Sequence, residues 1–423
     1  MSQSSGKCSS SSRRGRFKGS GRLTSGVMHP ADHLRGSRSD KLKGRKIVLG
    51  VTGSIAAVET VKLCRELIRN GAEVHVVMSK DAQMIVHPWA LEFASGREVI
   101  TCIDGGVQHV SLCGDVPDKA DLLLIAPATA NTISKMACGI DDTSVTTMAT
   151  TAIGTGIPVI VVPAMHYSMI THKIVLENIK KLEKLGVGFL SPKVEESKAK
   201  MPSIDYIVSM VIAAIGKRDL LGRKVLVIAG STEEPIDDIR VVTNRSSGET
   251  GVELARAAHE RGATVELWMG RAEADLPEHI SHKRFSSFND LSRMVRGKRF
   301  DIVFFPAAVS DYSPRKVEGK IPSDKAKISL ELRRNPKLID HLKARLVVGF
   351  KAQARISDDE LVRESLMLIK RTRCALVVAN KVEHVKPGKT RVVLVERNGD
   401  TEDLEGTKHQ VADKILDRVV RMM

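Results

Sequence analysis

A chain of 423 residues, 42% hydrophobic and 27% charged, holds material for two or three domains and reads as globular rather than disordered. Its formal charge of +16 raises nucleic acid as a partner, but 12 basic and 2 acidic residues between Met1 and Lys46 put +10 of it at one end. Six scattered cysteines without a C-x-x-C pair, and no apolar run near the roughly 18 residues of a membrane span, argue against a disulfide scaffold, a zinc module or a spanning helix. A soluble protein of the reducing cytoplasm is expected.

The chain opens on Ser9-Ser10-Ser11-Ser12 and Arg13-Arg14-Gly15-Arg16, with too few apolar side chains to offset the entropy of ordering. Residues 1–44 are expected to be a disordered basic tail, with RNA or polyphosphate association as the functional alternative. The tail lacks the apolar stretch of a secretory signal, and a transit peptide fits its composition better than its pattern. A chain cut back to Lys41 is expected to keep its activities.

Ordered sequence begins at Arg45. The run Lys46-Ile47-Val48-Leu49-Gly50-Val51 reads as a buried strand with Thr52-Gly53-Ser54 as its exit. Helical spacing over 55–69, a stop at Gly71 and a strand over 74–78 complete a βαβ unit. Apolar runs at 122–126 and 158–162 continue the alternation, and a helix over 204–215 closes a domain of residues 45–215. Residues 216–223 read as a linker. A second domain, 224–423, repeats the grammar: a strand at 225–229 leaving through Gly230, a helix over 251–261, and strands at 263–269, 301–305, 346–350, 375–379 and 390–396. A helix over 406–420 ends the chain. The fold class is α/β, two doubly wound Rossmann-like domains with ligands at the carboxyl ends of their strands.

In the first domain Gly53-Ser54-Ile55-Ala56 joins strand to helix, where backbone N–H groups and the Ser54 hydroxyl can hold a phosphate. The G-x-G-x-x-G pattern is absent, so a mononucleotide is expected rather than a dinucleotide. The stretch Ala126-Pro127-Ala128-Thr129-Ala130-Asn131 places small, hydroxyl and amide groups at another strand end, suited to a flat ring. With Gln108-His109-Val110-Ser111 and Pro163-Ala164-Met165-His166, this order resembles the flavin-containing cysteine decarboxylases. The resemblance implies a flavodoxin-like half that binds FMN through Gly53, Ser54, Ile55, Ala56, Ser79, Pro127, Thr129, Ala130 and Asn131. It also implies a catalytic His109 and a substrate site at Met165 and His166. The flavin of that family takes up and returns a hydride around the loss of CO₂, and an imidazole beside it moves a proton. Two departures stand out. His166 replaces the Asn of the family's Pro-Ala-Met-Asn, and the flap stretch Val194-Glu195-Glu196-Ser197-Lys198-Ala199-Lys200-Met201 lacks a proton-donating Cys. Lys198 and Lys200 are left as anion clamps or proton donors.

In the second domain Ala229-Gly230-Ser231-Thr232-Glu233-Glu234-Pro235-Ile236-Asp237 precedes Thr243-Asn244-Arg245-Ser246-Ser247-Gly248-Glu249-Thr250-Gly251. The pair resembles the signature of phosphopantothenate–cysteine ligase. Pro306, Ala307, Asp311, Lys320, Asn335, Pro336 and Phe350 follow in the order of that family's nucleotide contacts. The resemblance implies a Rossmann-like ligase half in which a carboxylate attacks the α-phosphorus of a nucleoside triphosphate, CTP being favoured over ATP. Cysteine's amine then displaces the nucleotide. Asn244 would serve the acyl-nucleotide as donor and acceptor, Lys320 would offset phosphate charge, and Mg²⁺ on unassigned ligands would bridge the phosphates. Glu233 and Glu249 reverse the family's usual Arg and Lys.

The two resemblances together cover 46–423 and are those of the bifunctional phosphopantothenoylcysteine decarboxylase/phosphopantothenate–cysteine ligase family. They imply coenzyme A biosynthesis, small phosphorylated substrates (4′-phosphopantothenate, cysteine, 4′-phosphopantothenoylcysteine), and a homo-oligomer with trimers of the flavin half and dimers of the ligase half, up to a dodecamer. The alternatives are a ligase whose flavin half only serves assembly, or a non-enzymatic flavoprotein subunit. Aromatic residues at 3% leave few base-stacking platforms, so nucleic acid is expected only through the tail.

Overall fold

The computed structural model describes residues 28–195, 198–322, 324, 327–384 and 388–423. Along the first half run β1 (Lys46–Val51), β2 (Glu73–Met78), β3 (Leu122–Ala128), β4 (Val159–Pro163), β5 (Met165–His166), β6 (Gly188–Phe189), β7 (Lys193–Glu195) and β8 (Lys198–Lys200). Five of them form a parallel sheet in the order β2-β1-β3-β4-β6. The alternation of a strand explains the near-continuous apolar run of β1: Ile47, Leu49 and Val51 enter one core while Val48 enters the other. β5, β7 and β8 make a small antiparallel sheet of their own.

The second half carries β9 (Lys224–Ala229), β10 (Glu233–Pro235), β11 (Val241–Thr243), β12 (Thr264–Met269), β13 (Ser281–Arg284), β14 (Arg299–Phe305), β15 (Tyr312–Pro314), β16 (Leu332–Arg334), β17 (Lys343–Gln353), β18 (Leu376–Lys381), β19 (Lys389–Glu396) and β20 (Thr401–Thr407). Its eight-stranded sheet runs β13-β12-β9-β14-β17-β18-β19-β20. The first six follow the 3-2-1-4-5-6 order of a doubly wound dinucleotide-binding fold, and β19 and β20 add an antiparallel hairpin. Two antiparallel pairs, β10–β11 and β15–β16, stand off the sheet. Among the described residues no helix is long and apolar enough to cross a membrane.

Residues 28–44 correct the expected tail; residues 1–27 lie outside the described residues. A short helix, Pro30–Leu34, buries Ala31, and Leu42 is fully buried in the first half's core. Gly71 at φ +99° lets this segment pass: a Cβ there would fall 2.8 Å from the Lys43 backbone nitrogen. Arg38 reaches Glu66 at 3.1 Å and Asp205 at 3.0 Å. Lys41 pairs with Glu260 and with Asp413 at 2.9 Å, both in the second half. The composition of 28–44 promised no core of its own, yet the segment borrows one and clasps both halves.

Beside that clasp the helix Ile204–Ile215 packs on the helix Glu249–Glu260. Tyr206 stacks on His279 with centroids 4.8 Å apart, and His259 meets the same ring edge-on at 4.8 Å. Burial, reinforced by the charges of His259 and Arg256, drives the His279 pKa down to about 4.

Because unfolded His279 would titrate near its ordinary value of about 6.5, the unfolded chain binds the proton first as pH falls. Stability at the junction is therefore expected to drop between about pH 6.5 and 4, by about 1–2 kcal/mol after solvent screening. His279→Phe should flatten that part of a urea-melt pH profile, and an unchanged slope would remove His279 as the cause. A chain beginning at Lys41 is expected to melt below one beginning at Met28, by about 4–8 °C for roughly 2 kcal/mol. Equal midpoints in scanning calorimetry would show that residues 28–40, with the Arg38 pairs, contribute nothing.

Candidate active sites

In the first sheet the strand order reverses between β1 and β3, and a doubly wound sheet takes its ligand in the crevice at the carboxyl ends of that pair. The exits are locked together there. The Thr52 hydroxyl donates to the Pro127 carbonyl at 2.8 Å and accepts from the Thr129 N–H at 3.1 Å. Thr129 also caps the helix Ala130–Cys138, and the buried Ser79 caps the turn after β2. Gly53 is required at this packing, since a Cβ would fall 2.5 Å from the Asp81 Cβ.

Next to the crevice lies a cavity of about 1170 Å³. Of the residues expected at the first site, Ser54, Ile55, Ala56, Met165, His166 and Lys200 line it. The Ser54 hydroxyl donates to the Ala164 carbonyl at 3.0 Å, drawing the β1 exit onto the Pro163-Ala164-Met165-His166 segment. The pairing of Met165 with Ala199 and of His166 with Lys198 lays the flap on that segment. Glu196, Ser197 and the Lys198 side chain lie outside what is described. Gly53, Ser79, Pro127, Thr129, Ala130 and Asn131 sit at the strand exits without lining the cavity.

His109 is on the short helix Gln108–Cys113 and does not line it either; its Nδ1 is buried without a partner. Sequence reading missed Arg38, Lys62, Arg65 and Arg69, which line the cavity from the clasp and from the helix Thr60–Arg69. For the last three the 3- and 4-residue spacing of one helix face was the available signal.

In the second sheet the order reverses between β9 and β14, and a cavity of about 530 Å³ opens at their carboxyl ends. Pro306, Ala307, Asp311, Pro336 and Phe350 line it as expected. Asn335 stands behind, its amide donating to the Ser310 carbonyl at 2.9 Å, and Asn244 donates to the Ala308 carbonyl at 3.2 Å. Five cations line the space, Arg245, Lys337, Lys351, Arg371 and Lys408, against one carboxylate, Asp311. Helix Glu249–Glu260 points its N-terminus here with no side-chain cap. Gly251 seats it, since a Cβ would fall 2.1 Å from that of Ala229.

Both charge reversals have partners: Glu233 is 3.4 Å from Arg271, and Glu249 pairs with the buried Lys408. Lys320 does not line the cavity. It sits on an arm whose base is clasped, with the Gly319 N–H donating to Asp238 at 2.9 Å and the Ile321 N–H to Asp237 at 3.1 Å. Burial works against the Asp237 charge, but N–H groups of Arg240, Ile239 and Ile321 outweigh it and hold the carboxyl well below the usual range.

Both glycine contacts yield a test. Gly251→Ala is expected to cost roughly 2–3 kcal/mol by overpacking and to lower nucleotide affinity, while Gly53→Ala should purify with less bound flavin. Wild-type melting and visible absorbance in the two variants would show that neither contact matters.

The chain matches two family profiles, Flavoprotein over residues 35–216 and the DNA/pantothenate metabolism flavoprotein C-terminal domain over residues 220–423. It is 45% identical over 407 residues to the coenzyme A biosynthesis bifunctional protein CoaBC of Thermococcus kodakarensis, covering 94% of this chain and 100% of the relative. To the protein of the same name from Methanocaldococcus jannaschii it is 36% identical over 412 residues, covering 95% and 100%. Among solved structures, a C-terminal domain of a coenzyme A biosynthesis bifunctional protein CoaBC is similar at 27% identity and TM-score 0.41, over 49% of this chain and 98% of that one. With a flavoprotein half, a ligase half and full-length relatives, the chain belongs to the CoaBC family of bifunctional coenzyme A biosynthesis enzymes, a decarboxylase and a ligase in one polypeptide.

Proposed function

We propose that residues 45–215 bind FMN at the β1/β3 exits and decarboxylate 4′-phosphopantothenoylcysteine to 4′-phosphopantetheine. Residues 224–423 make that substrate from 4′-phosphopantothenate and cysteine with CTP and Mg²⁺. The observation that carries the ligase assignment is the switch-point cavity: five cations, three of them ion-paired, and a helix N-terminus without a side-chain cap suit a polyphosphate. For the flavin, the fit rests on the bare Gly53 turn and the locked strand exits, which leave backbone N–H groups for a phosphate and small side chains beside a ring.

A flavin held there supplies a two-electron oxidation and its reversal. The chain's own groups do the rest. Ser54 and the turn after it hold the phosphate, and Thr129, Ala130 and Asn131 border the ring. His166 has its Nδ1 within 2.8 Å of the Ser168 hydroxyl, so Nε2 is the nitrogen presented to the substrate carboxylate. With no Cys in the flap, Lys198 or Lys200 clamps the anionic substrate or supplies the proton. In the ligase half Asn244 positions the acyl-nucleotide, and Lys320 meets the charge on the phosphates.

His109 and Lys320 each lie outside the cavity of their own chain, among exposed apolar side chains. Val107 and Val110 stand beside the first in sequence, and Val317 lies three residues before the second. These patches favour a homo-oligomer in which a neighbouring copy delivers each residue, trimers through the flavin half and dimers through the ligase half. A cytoplasmic setting fits an enzyme of small soluble metabolites.

Purified protein is expected to show a bound-FMN spectrum, to release CO₂ from phosphopantothenoylcysteine, and to release pyrophosphate from CTP only with phosphopantothenate, once per site without cysteine and repeatedly with it. His109→Asn should keep the flavin and lose about 10²–10⁴-fold in CO₂ release. Full CO₂ release by that variant would remove His109 from the mechanism, and an enzyme with flavin but no CO₂ release would overturn the decarboxylase assignment.

A further inference from the structure

Lys408 is the most hidden of the cations around the second cavity. Its residue is 7% exposed, yet its side chain lines the space where a polyphosphate would lie. Two costs attach to that position. A buried ammonium loses hydration, and Lys408 is the first residue of the helix Lys408–Arg421, where the positive end of the helix dipole disfavours a cation. The backbone leaves it no alternative. Thr407 and Gln410 form a reciprocal capping box, with the Gln410 N–H donating to the Thr407 hydroxyl at 3.2 Å and the Thr407 N–H to the Gln410 side-chain Oε1 at 3.0 Å.

What offsets the cost is Glu249, which pairs with Lys408 from the first turn of helix Glu249–Glu260. The Glu249 side chain is 40% exposed against 8% for Lys408, so the carboxylate is the half of the pair that can swing into water. An acidic group at the N-terminus meant to receive phosphates would repel them. A competing anion would relieve both groups at once, taking over the ammonium as Glu249 turns outward.

Resting on the nucleotide assignment above, we propose that Lys408 contacts the phosphates of the bound nucleotide and that Glu249 holds it back in the free enzyme. Two substitutions then act in opposite directions. Lys408→Met removes a charge-assisted phosphate contact and should weaken Mg²⁺–CTP binding by roughly 10- to 100-fold. Glu249→Gln removes the competitor and the repulsion, so it should bind Mg²⁺–CTP several-fold more tightly while melting at a lower temperature without nucleotide. Lys408→Arg should recover most of the affinity.

The test is calorimetric titration of Mg²⁺–CTP, with Mg²⁺–ATP in parallel, into the full chain and the three variants, alongside CO₂ release as a measure of intact folding in the other half. A purely structural pair would lower the melting temperature in both single variants and leave the dissociation constants alone, and that result overturns the inference while the nucleotide assignment stands. Weaker binding by Glu249→Gln also overturns it, because the carboxylate would then be aiding the nucleotide. If the unmodified chain binds neither nucleotide, the assignment itself fails and the inference with it.

Discussion

The constraint on which everything else hangs is that parallel strands end together. In each sheet the strand ladder runs out at the carboxyl ends, and where the strand order reverses, flanking helices leave on opposite faces and open a crevice. The first sheet reverses between β1 and β3 and the second between β9 and β14. Each crevice is narrowed by one glycine that admits a close approach, Gly53 against Asp81 and Gly251 against Ala229. The two halves therefore open a crevice at the same place in two copies of one architectural idea.

Linking the two crevices is a junction far more charged than a domain core. From Arg38, which lines the first cavity, charges pass through Asp205 to Arg256 at 4.0 Å, on to Glu253 at 3.9 Å, and to His409 at 2.9 Å from Glu253. His409 is the neighbour of Lys408, which lines the second cavity. Such chains hold orientation better than they add stability, since each partner gives up hydration to join.

Much of the fold was legible because parallel strands are apolar on both faces and their glycine exits punctuate them. β1, β9 and the helix Ile204–Ile215 stand where the pattern placed them. What stayed hidden depends on partners remote in the chain. The ordering of 28–44 rests on Lys41 meeting a glutamate 219 positions away, and composition registers no such partner. β20 reads Thr-Glu-Asp-Leu-Glu-Gly-Thr, an exposed edge with one buried residue, Leu404, and so gives almost no hydrophobic period. Of the site, the strand-exit motifs stand at the carboxyl ends of the two sheets, while His109 and Lys320 lie away from both cavities. Lys408 is invisible for the same reason as Lys41: its meaning comes from Glu249, 159 positions away.

The two acidic departures in the ligase motif show why substitutions in such sites are poorly judged singly. Glu233 and Glu249 look, in sequence, like the loss of two phosphate-binding cations. In the fold each faces a basic residue, Arg271 and Lys408, so that a cation stands beside each carboxylate. The cavity keeps its cationic excess even though its helix begins on a glutamate. A polyphosphate responds to the summed field of a narrow cleft more than to the identity of any one side chain. The core's modest charge of +6 is unremarkable as a total, whereas the +10 at the amino end announces itself and includes Lys41, which reaches across to the second half.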